Sequence, residues 1–403
     1  MSNIPKIRFK GFTDAWEQRK FSELYKKVSR KNDLSYGIED IISVANMYYK
    51  KDATVKNNEY LKTYNIFELG DIAFEGNKSK NFAHGRFVEN TIGNGIVSHV
   101  FDVFKPISEY DLMFWKYLIN NEGVMGRIMA RCTKSSTMMT TLVANDFLKE
   151  EICVPNIEEQ HMIGNFFQSL DHLITLHQRK CDNMKKIKKF MLQKMFPKKG
   201  EKFPEIRFEG FTDAWEQRKF PEFVSFFNGL TYTPNDVRET GTLVLRSSNV
   251  RKGEIVDADN VYVSDKVATS ENVQVGDIIV VVRNGSRALI GKHAQIKVSM
   301  PNTVIGAFMS GIRSEHPSFV NALLDTSAFE NEIVKNMGAT INQITGYMFS
   351  KMEFTIPSKE EQQQIGDYFS NLDHLITLHQ RKSDELKEMK KYMLQNMFAD
   401  GRK

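Results

Sequence analysis

The sequence is poor in cysteine and contains no long apolar segment. Its three cysteines, Cys132, Cys153 and Cys181, lie far apart among 403 residues and form no CxxC pair. They exclude a disulfide framework and a cysteine-based zinc site, and reduced thiols are typical of a cytoplasmic protein. No apolar run approaches the roughly 20 residues of a membrane helix, and the charged start MSNIPKIRFK lacks the apolar stretch of a secretory signal. We therefore predict a cytoplasmic protein without a membrane segment.

The sequence also lacks the short motifs of common catalytic sites. It contains no GxSxG elbow, no HExxH metal site and no GxGxxG loop after a strand. In RNGSRALIGKH the glycines have the wrong spacing for a phosphate-binding loop, and His293 replaces its Ser or Thr. The tetrapeptide of adenine methyltransferases and the Asp…Glu-x-Lys pattern of nucleases are missing as well. We therefore predict that the chain is not an enzyme and holds no metal ion and no cofactor of its own.

What the sequence does contain is an internal repeat. Residues 5–21, PKIRFKGFTDAWEQRKF, differ from residues 204–220 at two positions only. We call these segments the first and second collars. Residues 158–196 and 360–398 form a second repeated pair, which shares the unbroken block LDHLITLHQRK. The chain therefore consists of two related halves of about 200 residues each.

Apolar residues recur at alternating steps of four and three along both repeated segments. In the first copy they begin at Ile163, Phe167, Leu170 and Ile174, and the second copy repeats the pattern. This heptad pattern predicts a long helix that packs side by side with another helix. Acidic residues near the start and lysines near the end of the first copy suit the helix dipole.

Two histidines and two lysines fall on the same line of heptad positions. We interpret His177 and His379 as polar residues that set the register, with a pH switch or a metal pair as the alternative. Lys188 and Lys390 follow further along the two helices. We expect the helix packing to loosen at these lysines.

The segments between the repeats, which we call the first insert (22–157) and the second insert (221–359), share only short matches such as Gly-Asp-Ile. Both mix Val- and Ile-rich stretches with amphipathic segments. We therefore predict an α+β fold in which two globular mixed α/β domains are joined by two long antiparallel coiled-coil helices with pseudo-twofold symmetry. The predicted parts are 1–157 (collar and first insert), 158–200 (first helix), 201–359 (collar and second insert) and 360–403 (second helix).

Polar segments interrupt both inserts and are rich in Arg, Lys, Asn, Gln, Ser and Thr. These side chains form hydrogen bonds with base edges and phosphates, and loops on a rigid scaffold often carry function. For any single segment the alternative is a solvated turn. We predict DNA contacts, in loops, from Lys78, Lys80, His84, Arg86, Lys134, Ser135, Ser136 and Thr137 in the first insert, and from Arg246, Ser247, Asn249, Arg251, Arg283, Asn284, Arg287, Thr340, Asn342 and Gln343 in the second.

The duplicated architecture resembles the specificity subunit of type I restriction-modification enzymes. The resemblance rests on the two GFTDAWEQRKF collars, the two Gly-Asp-Ile segments and the two LDHLITLHQRK blocks, and it covers nearly the full chain. It implies that each insert is a target recognition domain that binds one half of a bipartite double-stranded DNA site. It implies further that the helices pack antiparallel, set the spacing and dock two methylation subunits, with restriction subunits in the full complex. S-adenosylmethionine, ATP and magnesium would then belong to those partners, and the methylated base would be adenine.

The repeated helices present nearly the same surface twice, so two copies of one partner should bind. We predict partner contacts from Asp171, His172, Arg179, Lys180, Asp373, His374, Arg381 and Lys382. An equally open alternative is that this block only holds the two helices together. Trp16 and Trp215 are expected to anchor the collars against the helices and not to stack on a base.

The net charge of +5 does not come from the inserts, which are close to neutral; the excess lies in the first collar and the first helix. If the inserts bind DNA, their basic groups must gather on one face of each insert, and we expect partner subunits to supply much of the phosphate binding. Two other functions stay open from sequence alone. One is a coiled-coil scaffold without sequence-specific DNA binding, and the other is a metal-dependent nuclease.

Overall fold

The chain is described by a computed structural model for residues 3–55, 57–135, 139–337 and 342–399. It divides into two compact units. The first unit contains residues 1–178 together with 381–403, and the second contains residues 179–380. Each unit therefore holds one collar, one insert, the beginning of one long helix and the end of the other.

The first unit is a mixed α/β structure. Its helices are α1 (Phe21–Leu24), α2 (Leu112–Ile119), α3 (Glu122–Cys132), α4 (Ala144–Lys149) and the first part of α5 (Ile157–Lys194). Its strands are β1 (Glu17–Lys20), β2 (Tyr25–Val28), β3 (Ile42–Ser43), β4 (Tyr48–Tyr49), β5 (Asn65–Phe67), β6 (Ile72–Glu75), β7 (Arg86–Glu89), β8 (Gly95–Val97), β9 (Val103–Pro106), β10 (Thr133–Ser135), β11 (Thr140–Leu142) and β12 (Glu151–Val154).

The second unit is mixed as well. Its strands are β13 (Glu216–Lys219), β14 (Ser225–Asn228), β15 (Val237–Arg238), β16 (Thr242–Leu245), β17 (Val250–Arg251), β18 (Glu254–Ile255), β19 (Val261–Val263), β20 (Ile278–Val281), β21 (His293–Gln295), β22 (Thr303–Ile305), β23 (Met309–Arg313) and β24 (Glu353–Ile356). Its helices are α6 (Pro317–Leu324), α7 (Ser327–Asn336), α8 (Gly346–Lys351) and the first part of α9 (Lys359–Asn396).

Both units contain a four-stranded antiparallel sheet with the same arrangement. The strand order is β2-β9-β6-β7 in the first unit and β14-β23-β20-β21 in the second. The inner strands β6 and β20 are buried at every residue. The second unit adds a further four-stranded sheet of order β15-β19-β16-β22. The two inserts therefore share a mixed α/β core, although their sequences match only at scattered positions.

The shared Gly-Asp-Ile segment is the turn that leads into each inner strand. Gly70 has φ 86°, in the left-handed region that glycine adopts without strain. The buried Asp71 accepts a hydrogen bond from the Arg30 guanidinium at 2.9 Å, and burial raises the pKa of Asp71 to about 6. Asp277 accepts two hydrogen bonds from Arg313, at 2.8 and 2.9 Å. A buried aspartate, paired with a half-buried arginine, thus fixes the start of β6 and of β20.

Each collar joins the start of a long helix through a buried ion pair. The Arg8 guanidinium donates two hydrogen bonds to Glu159, at 2.6 and 2.8 Å. In the second unit Arg207 binds Glu361 in the same way, at 2.7 and 2.8 Å. The Trp16 indole also donates to Glu159, at 3.2 Å. The prediction that Trp16 anchors its collar against a helix is confirmed.

The ends of the long helices complete the two cores. In the first unit the Phe398 ring stacks on Phe167, with ring centroids 5.7 Å apart. In the second unit Phe196 packs edge-on against Trp215, with ring centroids 5.9 Å apart. Trp215 is buried, and it anchors the second collar against the end of α5. Each collar therefore contacts one helix start and the end of the other helix.

The predicted long helices are present, with 38 residues each. Side-chain oxygens of Asn156 and Ser358 accept backbone amides of the first turn and so cap the two helix starts. The heptad residues Ile163, Phe167 and Leu170 are buried, as expected. At about 1.5 Å per residue, each helix is about 57 Å long.

The two heptad lysines do not loosen the helix packing, so that expectation is wrong. In the first unit Lys390 donates to Asp171 at 2.6 Å, and in the second unit Lys188 donates to Asp373 at 2.6 Å. Burial alone lowers the pKa of Lys188, but the carboxylates of Asp325 and Asp373 raise it overall. The flexible lysine side chain reaches an aspartate on the other helix and replaces apolar packing with an ion pair.

Several general properties follow from the part of the chain that is described. No helix in these ranges combines the length and apolar character that a membrane crossing requires. Over the same residues, His, Cys, Asp and Glu side chains nowhere gather in a group of three that could hold a metal ion. The three cysteines are free and buried.

Candidate nucleic-acid interface

Two of the predicted polar segments in the first insert meet in the structure. The segment 76–85, which follows β6, lies against the hairpin of β10 and β11. Lys78 Nζ donates a hydrogen bond at 2.5 Å to Ser135 Oγ, 57 residues away in sequence. The two segments together form one surface, the first polar surface, which contains Lys78, Lys80, His84, Lys134 and Ser135.

A close backbone approach holds this surface together. A Cβ atom at Gly76 would lie 2.1 Å from the carbonyl oxygen of Thr140, so the contact requires glycine. The Thr140 amide donates to the carbonyl of Gly76 at 2.8 Å, and the Thr140 hydroxyl donates to the carbonyl of His84 at 3.0 Å. Both ends of segment 76–85 are thereby fixed. The side chains of Lys78, Lys80, Lys134 and Ser135 are exposed, while His84 is half-buried.

Arg86 differs from the other candidates of the first insert. It begins β7, so the prediction that it lies in a loop is wrong. Its guanidinium donates to Glu75 at 2.9 Å and to the carbonyl of Ala45 at 2.6 Å, and it lies 5.1 Å from the Phe82 ring centroid. The Arg86 guanidinium is therefore bound within its own unit, and it stabilises the edge of the first polar surface.

Three predicted segments of the second insert also meet. Asn284 Nδ2 donates to Ser247 Oγ at 3.3 Å, and Asn342 Nδ2 donates to the carbonyl of Gly285 at 3.1 Å. Gln343 forms an isolated β-bridge with Arg283. The resulting surface, the second polar surface, contains the accessible candidates Ser247, Arg251, Arg283, Asn284, Arg287, Asn342 and Gln343.

The two polar surfaces occupy equivalent places in their units. Each begins where the inner strand, β6 or β20, ends. Each is closed by a bridge to the chain that precedes α4 or α8, formed by Asn77 with Met139 in the first unit and by Arg283 with Gln343 in the second. Lysine and histidine dominate the first surface, whereas arginine and amide side chains dominate the second. Equivalent surfaces with different hydrogen-bonding groups can select different ligands.

One predicted residue is not accessible, and its selection is wrong. Asn249 is fully buried, accepts the Arg246 backbone amide at 2.9 Å, and donates to Ala258 and Asn260 at 2.8 and 3.0 Å. An amide that is satisfied inside the fold cannot reach a base edge. Arg246 itself is half-buried, and its guanidinium donates to the carboxylate of Asp259 at 2.6 Å.

Three further candidates lie in short strands, contrary to the expectation of loops. Lys134 and Ser135 belong to β10, which pairs with β11, and Arg251 belongs to β17, which pairs with β18. Strand pairing fixes the backbone of these residues more firmly than a loop would. The candidates Ser136, Thr137 and Thr340 lie outside the described residues.

A cavity of about 670 Å³ adjoins the second polar surface. Three basic residues, Lys252, Arg287 and Lys292, contribute to its lining, together with the acidic residues Asp325 and Glu330. Burial and the charge of nearby Arg251 lower the pKa of Lys292. Within the described ranges, Arg251, Arg287 and Lys292 have no acidic partner. Cations without counterions attract phosphate groups. Sequence reasoning missed Lys292, which belongs to the RNGSRALIGKH segment that fails the phosphate-loop spacing.

The repeated block LDHLITLHQRK divides into internal and exposed side chains. Asp171 accepts hydrogen bonds from Lys390 and from the Tyr117 hydroxyl, both at 2.6 Å, and Asp373 accepts one from Lys188. These two aspartates are therefore occupied within their own units. The predicted partner-binding residues with exposed side chains are His172, Arg179, Lys180, His374, Arg381 and Lys382.

Four leucines of the same block are exposed and were not selected from the sequence. Leu173 and Leu176 on α5 match Leu375 and Leu378 on α9, with exposed fractions between 36% and 50%. Residues three apart are neighbours on a helix surface. Large apolar side chains grouped in this way mark surfaces that another molecule covers. The sequence does indicate these leucines. The segment LITL is identical in the two copies, yet its leucines lie outside the heptad line that forms the buried face of each helix.

Known proteins share both sequence and fold with this chain. Residues 212–388 match the family model of the type I restriction modification DNA specificity domain. The chain is 22% identical over 268 residues to the type I restriction enzyme MjaVIII specificity subunit of Methanocaldococcus jannaschii, with 62% of each chain covered. The resemblance to type I specificity subunits is confirmed. The match also spans the whole second polar surface.

Further specificity subunits give the same result over shorter lengths. The StySPI specificity subunit of Salmonella potsdam is 23% identical over 196 residues, which cover 46% of this chain and 42% of that one. The chain thus spans less than two thirds of the length of these curated relatives. A crystal structure of a type I restriction-modification S subunit from M. genitalium has a TM-score of 0.64 at 14% identity, covering 99% of this chain and 100% of the other. That likeness shows that the two chains share one fold.

Proposed function

We propose that this chain is the DNA-recognition subunit of a type I restriction-modification complex and has no catalytic activity of its own. The observation that carries the proposal is the pair of equivalent polar surfaces with different side chains, one in each unit. We propose that each surface contacts one half of a bipartite, asymmetric double-stranded DNA site. The target recognition domains would be 1–157 and 201–359, with 158–200 and 360–403 as the repeated helices.

In the described part of the chain, basic side chains without an acidic partner gather at the second polar surface, although its insert is nearly neutral overall. Acidic residues such as Glu68, Asp71, Glu75 and Asp277 are bound to lysines or arginines inside their units. Carboxylates that are neutralised in this way repel phosphate less than exposed ones. Among the described residues Arg251, Arg287 and Lys292 have no acidic partner, and they would attract phosphate groups to the second polar surface.

We further propose that α5 and α9 form an antiparallel coiled coil that sets the spacing between the half-sites. Asp171 of α5 pairs with Lys390 of α9, and Lys188 of α5 pairs with Asp373 of α9. From the first pair to the second, the residue number rises from 171 to 188 on α5 and falls from 390 to 373 on α9, as it does in antiparallel helices. A coiled coil holds its helices in one register, and fixed module separations produce fixed half-site spacings.

We propose that the exposed leucines of the LDHLITLHQRK blocks dock the methylation subunits, one subunit at each leucine pair. We expect Leu173→Asp with Leu176→Asp to remove one methylation subunit, and Leu375→Asp with Leu378→Asp to remove the other. A buried charge without a partner is strongly unfavourable in an apolar interface. The mass of the complex by native mass spectrometry checks this. Val298→Asp alters an exposed valine of the second insert and serves as the control. Retention of two methylation subunits by the quadruple variant would contradict the assigned docking face.

The DNA-recognition function is tested by mapping methylated adenines in cells that carry this chain and its methylation subunits. We expect one split, asymmetric motif. The triple variant Arg283→Ala, Asn284→Ala, Arg287→Ala should relax one half of the motif, because each bidentate contact contributes about 1–3 kcal/mol of base discrimination. The other half and the mass of the complex should stay unchanged.

The alternatives predict different results in the same strains. A scaffold would assemble with its partners without directing methylation to any sequence, and the triple variant would then have no effect on DNA. A nuclease would cleave DNA with metal ions in the absence of any partner. Either result would replace the DNA-recognition proposal.

A further inference from the structure

An exposed phenylalanine lies beside the second polar surface. Phe308 belongs to the turn that connects β22 to β23, and 55% of it is exposed. The Gly306 amide donates to the carbonyl of Leu245, and the Met309 amide donates to Gly306, both at 2.8 Å. Since β22 and β23 belong to the two different four-stranded sheets, both sheets hold this turn in place.

The same turn is bonded to Arg283. The carbonyl of Phe308 accepts the backbone amides of Val282 at 3.0 Å and of Arg283 at 3.2 Å. The Arg283 guanidinium carbon lies 5.1 Å from the centroid of the Phe308 ring. Backbone and side chain of Arg283 are thus both positioned by Phe308, and the bridge to Gln343 supports the segment from its other side.

The Arg283 guanidinium forms no ion pair or hydrogen bond with the side chains of the described residues, so its donors are available there. Arg86 and Arg246 bind Glu75 and Asp259 respectively, so their guanidinium groups are occupied. Among the described residues Arg283 has no acidic partner, and its side chain is exposed. A cation–π contact restricts the plane of the guanidinium but leaves its N–H groups available, because the ring face accepts none of its directional hydrogen bonds.

We propose that Phe308 is a positioning residue that holds Arg283 as the guanine-contacting residue of the second unit. The inference rests on the proposed DNA-recognition function and assigns one base class to one side chain. The planar guanidinium matches the O6 and N7 acceptors of guanine in the major groove with two parallel hydrogen bonds. Restricting the side chain before binding lowers the conformational entropy lost in the complex. Lysine carries the same charge but lacks the planar pair of donors.

The test uses the full chain in complex with its methylation subunits, and a library of duplex DNA with randomised positions as the probe. Bound duplexes are sequenced, and the preference for each base is measured at each position. We expect Arg283→Ala to reduce the preference for guanine at one position of one half-site by about 10- to 100-fold, and Arg283→Lys to reduce it less, because lysine can also donate to O6 and N7. Phe308→Ala should reduce the same preference by about 3- to 10-fold. Phe308→Tyr keeps the aromatic face and should retain the wild-type preference.

Phe203→Ala is the matched control, because Phe203 is exposed to a similar extent (53%) in the same unit and lies outside the polar surface. It should leave every base preference unchanged. Thermal unfolding of each variant verifies that the exposed ring is not needed for folding. A wild-type selection without any sequence preference would reject the proposed function itself. A wild-type preference that Phe308→Ala leaves intact, or a Phe308→Ala defect confined to binding of the methylation subunits, would reject only the role of Phe308.

Discussion

Exchange of residues 22–157 for the insert of a related specificity subunit is expected to change one half of the recognised DNA sequence and to leave the other half unchanged. The first polar surface is built entirely from segments of this insert, including β6, β10 and β11. The second polar surface lies in a unit with its own apolar core. Adenine methylation mapping before and after the exchange measures the effect, and a change in both halves would contradict the modular interpretation.

The exchange needs a donor insert that fits the collar and the helix. Phe114 and Tyr117 of the insert pack in the same cluster as Trp16 and Phe167, which stay with the recipient. The backbone of β12 pairs with β1 of the collar, and this contact tolerates a change of side chains. A donor with large apolar or aromatic residues at these two insert positions should preserve stability. The reciprocal exchange of residues 221–359 is the control, and it should alter the opposite half of the motif.

Glu159→Ala is expected to lower the free energy of unfolding of the first unit by about 3–5 kcal/mol. Removal of one member of a buried ion pair leaves the other charge without its partner, and values of this size are typical. The loss affects both Arg8 and the Trp16 indole, which donate to Glu159. Denaturant unfolding, with hydrogen exchange to assign the first unit, measures the effect.

The second unit supplies an internal comparison for this prediction. Among the described residues the Trp215 indole nitrogen has no hydrogen-bond partner, whereas its counterpart Trp16 donates to the helix glutamate Glu159. Glu361→Ala should therefore destabilise its unit by about 1 kcal/mol less than Glu159→Ala. Lys359→Ala removes an exposed ion pair with Glu315 and should cost less than about 1 kcal/mol. Equal effects of Glu159→Ala and Lys359→Ala would contradict the assigned role of the buried pair.

The repeated parts of this fold were predictable because their signals are local. Phe167 and Leu170 lie on a heptad line, and the line predicts both the helix and its buried face. Trp16 belongs to the repeated collar motif, and this repetition predicts that the tryptophan anchors each collar against a helix. The same heptad line leads to a wrong prediction at Lys188. A lysine among apolar heptad residues predicts looser helix packing, because the periodicity alone does not indicate an ion pair. Its pairing with Asp373 depends on the relative register of two helices, which one sequence does not contain.

The inserts were predictable only in part, for a different physical reason. β6 and β20 have four residues each and are buried on both faces, so they lack the alternation that reveals a strand. The common sheet is built from long-range pairing, and the two inserts achieve it with unrelated side chains. Asn249 and Asn284 are equally polar in sequence, yet one supports a turn and the other lies at the surface. The two roles differ because of the contacts that each side chain makes in the folded protein. Asn249 donates to the carbonyl of Ala258, whereas Asn284 donates to the hydroxyl of Ser247.

The division of the long helices between the units governs the order in which the protein can fold during synthesis. The second unit is continuous, from residue 179 to residue 380, and can close as soon as that stretch has left the ribosome. The first unit begins earlier but includes Met397, Phe398 and Ala399 in its core. The apolar core that joins its collar, insert and helix start is complete only after these residues, which follow α9, have emerged. The half that is translated first is therefore the half that is completed last.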